Sequence, residues 1–160
     1  MDRKIVIIAD RDWIGVSDMR EILFKAKRKY NGEWVEGYYA MLGVGDIVRH
    51  YIIQNCAVAK LFEKPEDNMY FNDIEIDPDT LCQYTGLTDK NDQKIWENDI
   101  LKWRFKRVQK EDYHISQVVW NSFYSAFKIS VSGGFAKLRE DIEYEAIGNI
   151  FDNPVGLEVE

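Results

Sequence analysis

The sequence predicts an all-β protein, and three observations support this class. Apolar and polar residues alternate with a period of two along much of the chain, which is the spacing of a half-buried strand. Aromatic residues, which favour strands, make up 14% of the chain. No stretch shows three turns of the apolar i, i+3, i+4 spacing of an amphipathic helix. The expected form is a small, partly open barrel, with an SH3-like barrel as one candidate, beside a hairpin-rich β subdomain.

The first predicted hairpin joins residues 20–27 to residues 33–40. Apolar and charged residues alternate before the turn, and Asn31-Gly32 supplies two residues that tolerate positive φ, a strong hairpin signal. Further elements are expected as strands at residues 4–9, 50–54 and 73–77, with one helical turn at residues 58–63 that ends at Pro65.

The second half predicts short strands separated by polar turns. Strand-like segments flank the turn Asp89–Asp92, and residues 99–107 alternate between two faces. A strand pair is expected around Asn121-Ser122, and a turn at Ser132–Gly134. The last strand places Ile142, Tyr144 and Ala146 on one face.

An acidic stretch at residues 72–80 marks the expected boundary within a chain of 160 residues, a length that suits one domain or two small ones. We expect an N-terminal extension at residues 1–18, an N-terminal β subdomain at 19–79 and a C-terminal barrel-like subdomain at 80–160. Residues 1–18 are either an extra strand or the product of an upstream start, with Met19 as the alternative start.

Composition excludes several classes of protein. No apolar run approaches the roughly 18 residues of a membrane span, and no signal peptide is present, so a cytosolic protein is expected. Cys56 and Cys82 are too few for a disulfide scaffold and lack the CxxC spacing of a zinc or redox site, so both are expected to be free, buried thiols.

Two charged segments are candidate binding surfaces. The net charge of −7 disfavours nucleic-acid binding by the overall field, but a local basic patch remains an alternative to a solvated hairpin. Its residues are Lys102, Arg104, Lys106, Arg107 and Lys110. The acidic residues Asp73, Glu75, Asp77 and Asp79 would share one strand face, as a candidate protein-binding surface or cation site, or as a solvated, protected edge.

Catalytic and cofactor motifs are absent from the sequence. The two histidines, His50 and His114, lie on different predicted β segments, and neither accompanies a nucleophile motif. Residues 89–100 resemble a calcium loop only briefly, because Lys94 replaces the central glycine and Ile100 the bidentate acid. We expect no cofactor, no resident metal and no enzymatic activity.

Residues 83–100 nevertheless carry a recognisable pattern, which we expect to be a structural turn. Its members are Gln83, Tyr84, Thr85, Gly86, Leu87, Asp89, Asn91, Glu97, Asp99 and Ile100. The pattern resembles that of the YopX-like family of small phage and prophage proteins. The segments from Met19 and from Ala146 to Pro154 resemble the opening and end of that family, in the same order.

The resemblance implies a mainly β fold, a phage or prophage origin and a location in the host cytoplasm, but no activity. Two positions depart from the family pattern. Asp92 and Asn98 stand where the family usually has Gly, so a strained turn is expected at Asp92, with less effect at Asn98.

Three functional hypotheses follow. The first is a non-enzymatic accessory protein that binds a host or phage protein, with the acidic segment as its first candidate surface and nucleic-acid mimicry as one form. The second is a nucleic-acid-binding module that uses the basic patch. The third is a metal- or carboxylate-dependent enzyme. Exposed strand edges also make a homo-oligomer a candidate state.

Overall fold

The structure is a computed structural model that describes residues 21–44, 46–54, 75–107, 113–139 and 141–153. Within these residues, ten antiparallel strands and one 3₁₀ turn, Pro78–Thr80, account for the regular structure. The all-β prediction is therefore confirmed. The expected strand at residues 4–9, the helical turn at 58–63 and Cys56 lie outside the described residues.

The first sheet contains five strands: β1 Phe24–Lys27, β2 Trp34–Val44, β3 Ile47–Ile53, β4 Cys82–Thr88 and β5 Lys94–Trp96. Their spatial order is β3-β2-β1-β4-β5. The hairpin expected at Asn31-Gly32 is confirmed, with Gly32 at a φ of 72° and the Arg28 N–H bonded to the Glu33 carbonyl at 2.8 Å. Glycine adopts this left-handed conformation without a Cβ clash.

Strand β1 connects the two halves of the chain. It pairs with β2 on one side and with β4 on the other, where Lys25 lies opposite Cys82. The first sheet thus contains strands from both sides of the boundary expected at residue 79. The division into subdomains stays a prediction, and any such division would have to accommodate this pairing.

The second sheet contains the other five strands: β6 Asp99–Phe105, β7 His114–Asn121, β8 Ala126–Val131, β9 Gly134–Lys137 and β10 Ile142–Asn149. Their spatial order is β10-β6-β7-β8-β9. The turn expected near Asn121-Ser122 lies at residues 122–125, so Phe123 and Tyr124 belong to the turn. The turn before β9 is as expected, with Gly133 at a φ of 83°.

Neither sheet closes into a barrel, which corrects the barrel form expected for residues 80–160. Strands β9 and β10 are the two edges of the second sheet, and no pairing joins them in the part of the chain that the structure describes. Short turns link most strands to their sequence neighbours, and β10 adds to β6 on the opposite side from β7. The result is two open sheets.

Three apolar clusters stabilise the sheets. The largest joins the core face of the second sheet to Ile95 of β5, and includes Leu101, Val118, Ile129 and Tyr144. The expected alternation of β6 is confirmed, since Leu101 and Trp103 are in this core while Lys102 and Arg104 are on the other face. Two smaller clusters lie within the first sheet, around Cys82 and Trp96 and around Ile52 and Ile76.

Candidate functional site

Asp89 organises the turn between β4 and β5. Its Oδ1 accepts hydrogen bonds from the backbone N–H groups of Asn91 at 2.7 Å and Gln93 at 3.0 Å, and its Oδ2 accepts one from Ala146 N–H at 3.1 Å. Burial opposes ionisation, but the three amides outweigh it and lower the pKa of Asp89. The carboxylate therefore closes the turn and attaches it to β10.

The two departures from the family pattern have the expected backbone conformation. Asp92 has a φ of 60° and Asn98 a φ of 67°, the left-handed region that favours glycine. The Asn98 side chain is bonded, because its Oδ1 accepts from Gln117 Nε2 at 3.0 Å. Both positions are sharp turns around β5, which explains why glycine suits them in related sequences.

Thr85 and Gly86 form an irregularity in β4. The pairing of β4 with β5 shifts between Tyr84 and Thr88, and Gly86 has a φ of 88°. Thr85 Oγ1 donates to the carbonyl of Ile95 at 2.8 Å and accepts from Leu87 N–H at 3.2 Å. The hydroxyl thus replaces ladder hydrogen bonds that the bulge interrupts.

The remaining acids of the pattern are also bonded to backbone. Glu97 accepts hydrogen bonds from the backbone of Gln83 and Trp120, although burial raises the pKa of its carboxyl group. Asp99 Oδ2 accepts from Trp96 N–H at 2.8 Å. Asp89, Glu97 and Asp99, the three carboxylates of the pattern, therefore have structural partners.

Asp99 also forms an ion pair that sequence reasoning missed. Lys25 Nζ lies 2.7 Å from its Oδ1, and the two side chains are 14% and 5% exposed. Burial raises the pKa of Asp99, and Lys25 opposes this rise. Lys25 Nζ also lies 5.1 Å and 5.5 Å from the ring centroids of Trp34 and Trp96. No local pattern could have indicated this pair, because 74 positions separate its members.

The segment after β10 packs beside the Lys25–Asp99 pair, through contacts with Lys27 and Trp34. Asp152 binds Lys27 Nζ at 2.6 Å and accepts from Trp34 Nε1 at 2.7 Å and Asn149 Nδ2 at 2.8 Å. Lys27, followed by the other hydrogen bonds, lowers the pKa of Asp152 to about 2. Phe151 packs against the Trp34 ring at a centroid distance of 5.9 Å.

All three segments that resemble the family therefore meet in space. Asn149 lies opposite Asp99 in the ladder, and Ile150 N–H donates to the Asn98 carbonyl at 3.1 Å. The segment that begins at Met19 contributes Lys25 and Lys27. The sequence pattern thus marks a structural junction between the two sheets.

The acidic segment does not form the expected single strand face. Asp73 lies outside the described residues, and Glu75 pairs with Lys29 at 2.8 Å and Arg49 at 3.8 Å. Pro78 begins the 3₁₀ turn, and Asp77 caps it by accepting from Asp79 N–H at 3.1 Å. Because the extended backbone ends before Pro78, Asp79 cannot continue a period-two row, which corrects that expectation.

Part of the basic patch is brought together on the second face of β6. Lys102 Nζ and the Arg104 guanidinium lie 4.2 Å and 5.1 Å from the ring centroid of Tyr113, which sequence reasoning missed. Arg104 also pairs with Glu143 at 3.1 Å. Lys106 and Arg107 follow the end of β6, and Lys110 lies outside the described residues.

The histidines are far apart in the topology. His50, on β3, is hydrogen-bonded to Tyr39 Oη at 2.7 Å, and His114, on β7, packs on Trp103 at a centroid distance of 4.5 Å. No group of three potential metal ligands occurs among the described residues. Within the same residues, no helix is long and apolar enough to cross a bilayer.

The outer half of the β2–β3 hairpin exposes four large apolar side chains. Met41 and Leu42 on β2 are 61% and 49% exposed, and Ile47 and Val48 on β3 are 61% and 53% exposed. Successive residues of a strand point to opposite faces, so both faces of this hairpin are apolar and accessible. We refer to residues 41–48 as the hairpin arm.

These features define an all-β protein of two open antiparallel sheets, with a junction of bonded carboxylates and an apolar hairpin arm. A family model described as YopX protein matches residues 23–158, so the chain belongs to the YopX family. The predicted family resemblance is thereby confirmed. No curated protein matches the chain.

The solved structures that are similar to this chain include the crystal structure of protein EF1440 from Enterococcus faecalis. It shares 21% sequence identity, and the match covers 88% of this chain and 100% of that chain, with a TM-score of 0.45. A likeness at this level carries no argument about function.

Proposed function

We propose that this protein is a non-enzymatic accessory protein of a phage or prophage that binds a host or phage protein in the host cytoplasm. The hairpin arm is the observation that carries the proposal. Four large apolar side chains on its two faces leave apolar area in water, and a protein partner would bury this area.

The arm is also a better candidate surface than the acidic segment. Glu75 is only 14% exposed and is already paired with two cations, and Asp77 caps a turn. A surface whose charges are paired offers less to a basic partner. The four apolar side chains of the arm, in contrast, are 49–61% exposed.

The bonded carboxylates of residues 83–100 support a non-enzymatic role. Asp89, Glu97 and Asp99 each accept hydrogen bonds from backbone amides, and a general base or metal ligand needs a free oxygen facing its substrate. Their positions are better explained by the stability of the turns.

Affinity capture from host and phage-infected lysates, after nuclease treatment, tests the proposal. We compare the unchanged protein with a double variant, Leu42→Glu with Ile47→Lys. The matched control is Phe123→Ser, which removes a side chain that is 86% exposed outside the arm. We expect the unchanged protein to capture a partner in stoichiometric amount. The double variant should bind this partner at least about tenfold more weakly, and the control should bind it normally.

Equal capture by all three proteins would contradict the arm as the binding surface. Size-exclusion chromatography of the same proteins separates a second outcome, in which the arm mediates self-association of this chain. A captured partner that disappears after nuclease treatment would instead favour nucleic acid as the bridging ligand.

A nucleic-acid-binding module is the second candidate function. The observation that favours it is the contact of Lys102 and Arg104 with the exposed ring of Tyr113, which combines cations with a stacking surface. A short single-stranded oligonucleotide should bind with an affinity that falls steeply as salt rises. Absence of binding at low salt would exclude this candidate.

A further inference from the structure

A cavity of about 360 Å³ lies beside the motif turn, and its walls come from several parts of the chain. The end of β4 and the following turn supply Asp89 and Lys90. The end of β6 supplies Lys106, the connection before β10 supplies Arg139, and β10 supplies Tyr144. The cavity is therefore built from segments of both sheets.

Cationic side chains predominate among the described charged residues that line the cavity. Among the residues that the structure describes, three cationic side chains, Lys90, Lys106 and Arg139, line it with one carboxylate, that of Asp89. The Asp89 oxygens already accept hydrogen bonds from three backbone N–H groups, which offset part of its charge. The described lining thus contains more cationic side chains than carboxylates.

The carboxylates that pair with two of these cations lie outside the cavity. Lys90 pairs with Glu145 at 2.7 Å, and Arg139 pairs with Asp141 at 2.7 Å. All four side chains are between a third and three-fifths exposed, so water weakens both ion pairs. Arg139 uses Nε and Nη2 for Asp141, and among the described residues no hydrogen bond from its Nη1 occurs.

Tyr144 supplies a neutral donor among these cations. Its hydroxyl oxygen accepts the Arg139 N–H at 2.9 Å, so its own hydrogen remains to be donated. Burial raises the pKa of Tyr144, and the phenol stays protonated at neutral pH. The neutral O–H group, together with the lysine ammonium and arginine guanidinium groups, forms a suitable set of donors for the oxygens of a phosphate group.

We propose that this cavity binds the phosphate group of a phosphorylated ligand, with Lys90, Lys106 and Arg139 as the charged contacts and Tyr144 as a neutral donor. Binding would let the ligand oxygens share Lys90 and Arg139, which now pair with the partly exposed carboxylates of Glu145 and Asp141. The proposal is independent of the hairpin arm, which is formed by β2 and β3. The phosphate could belong to a mononucleotide or to a nucleic-acid backbone.

Titration with three probes tests the proposal and separates the two sources of phosphate. The probes are inorganic phosphate, adenosine monophosphate and a short single-stranded oligonucleotide, each at low salt and followed by NMR shifts of the full chain. We expect phosphate to shift the amides of residues 86–90 and 139–144. Saturation by the monophosphate indicates a small ligand, and strong preference for the oligonucleotide indicates a nucleic-acid backbone.

The variants are Lys90→Gln and Arg139→Gln, and the matched control is Lys137→Gln, an exposed cation on β9 outside the cavity. Each cavity variant should weaken binding about tenfold, the effect of removing one charged donor, while the control binds normally. Circular dichroism verifies that each variant folds.

Two results would overturn the proposal. One is the absence of phosphate-induced shifts in residues 86–90 and 139–144 of the unchanged protein. The other is an equal loss of binding in Lys137→Gln and the cavity variants, because this would indicate a general electrostatic effect. Either result leaves the arm's protein-binding test unaffected.

Discussion

The acidic residues of the motif differ in the direction in which the fold shifts their pKa values. Asp89 has a lowered pKa because several amides outweigh its burial, whereas burial dominates at Glu97 and Asp99 and raises their pKa values. Acidic side chains that look equivalent in the sequence thus have pKa values shifted in opposite directions by the fold. Their bonds to backbone amides stabilise the turns in each case.

At Asp92, we predict that Asp92→Gly stabilises the protein by about 0.5 kcal/mol. A residue with a Cβ is strained at a φ of 60°, and glycine relieves this strain but has more entropy to lose on folding. Urea unfolding gives the difference in free energy of unfolding. Asn98→Gly is the comparison: it should destabilise, because it also deletes the hydrogen bond to Gln117. Stabilisation by both substitutions would contradict this account.

At Asp152, we predict that Asp152→Asn removes part of the pH dependence of stability. The folded pKa of about 2 lies below the ordinary aspartate pKa of 3.8, so Asp152 stabilises the fold above pH 3.8. This contribution is lost as the pH falls from about 4 towards 2. The variant should be about 1 kcal/mol less stable at pH 7, because three hydrogen-bonding contacts weaken. As the pH falls from about 4 to about 2, it should then lose less stability than the unchanged protein does.

Thermal unfolding at a series of pH values between 7 and 2 measures this difference. Asp141→Asn is a control, since Asp141 pairs with Arg139 on an exposed connection outside the junction. Parallel curves for Asp152→Asn and the unchanged protein would show that Asp152 does not carry the acid response.

At the scale of elements, hairpins were predictable and the order of strands was not. Asn31-Gly32 and the turn before β9 are local signals, because the conformation that a turn requires selects its residues. The β1–β4 pairing and the addition of β10 to β6 depend on packing between distant segments, which period-two patterns do not specify. The barrel expectation failed for this reason.

The candidate surfaces, like the order of strands, were only partly predictable from local sequence patterns. Charge spacing identified Lys102 and Arg104 as neighbours on one face, but Tyr113 joins them only across a strand pair. The hairpin arm was missed, although the sequence does contain its signal: consecutive apolar residues at Met41-Leu42 and Ile47-Val48 disagree with a one-sided strand.

For the β2–β3 hairpin, we predict that Gly37→Ala destabilises the protein by about 2 kcal/mol. A Cβ at Gly37 would collide with the carbonyl of Ile53, a backbone group that cannot move without breaking the strand pair. Gly43→Ala is the matched control, because its Cβ would make only ordinary contacts, 3.9 Å from the nearest atom. Urea unfolding and amide exchange of β3 measure the effect, and equal losses in both variants would refute it.

For the whole molecule, the Lys25–Asp99 pair links β1 of the first sheet to the start of β6 in the second. We predict that Lys25→Met destabilises the protein by about 3 kcal/mol at pH 7, because it leaves the buried Asp99 charge without its cation. The loss should shrink as the pH falls, since a raised folded pKa favours the protonated acid and protonation removes the unpaired charge.

The double variant Lys25→Met with Asp99→Asn is the internal control for this pair. Asparagine keeps an oxygen for the Trp96 N–H, which Asp99 now binds at 2.8 Å, and carries no charge. We expect the double variant to recover more than half of the lost free energy of unfolding at pH 7. If it is less stable than Lys25→Met alone, the charge is not the source of the loss.

The contact of Trp34 with Asp152 also constrains the timing of assembly during synthesis. These residues are 118 positions apart, yet their bond attaches the segment after β10 to the second strand of the first sheet. The first hairpin can form early on the ribosome, but this junction must wait until residues 149–153 have been made. We therefore expect this junction to form after the first hairpin, because contacts that span such distances form slowly.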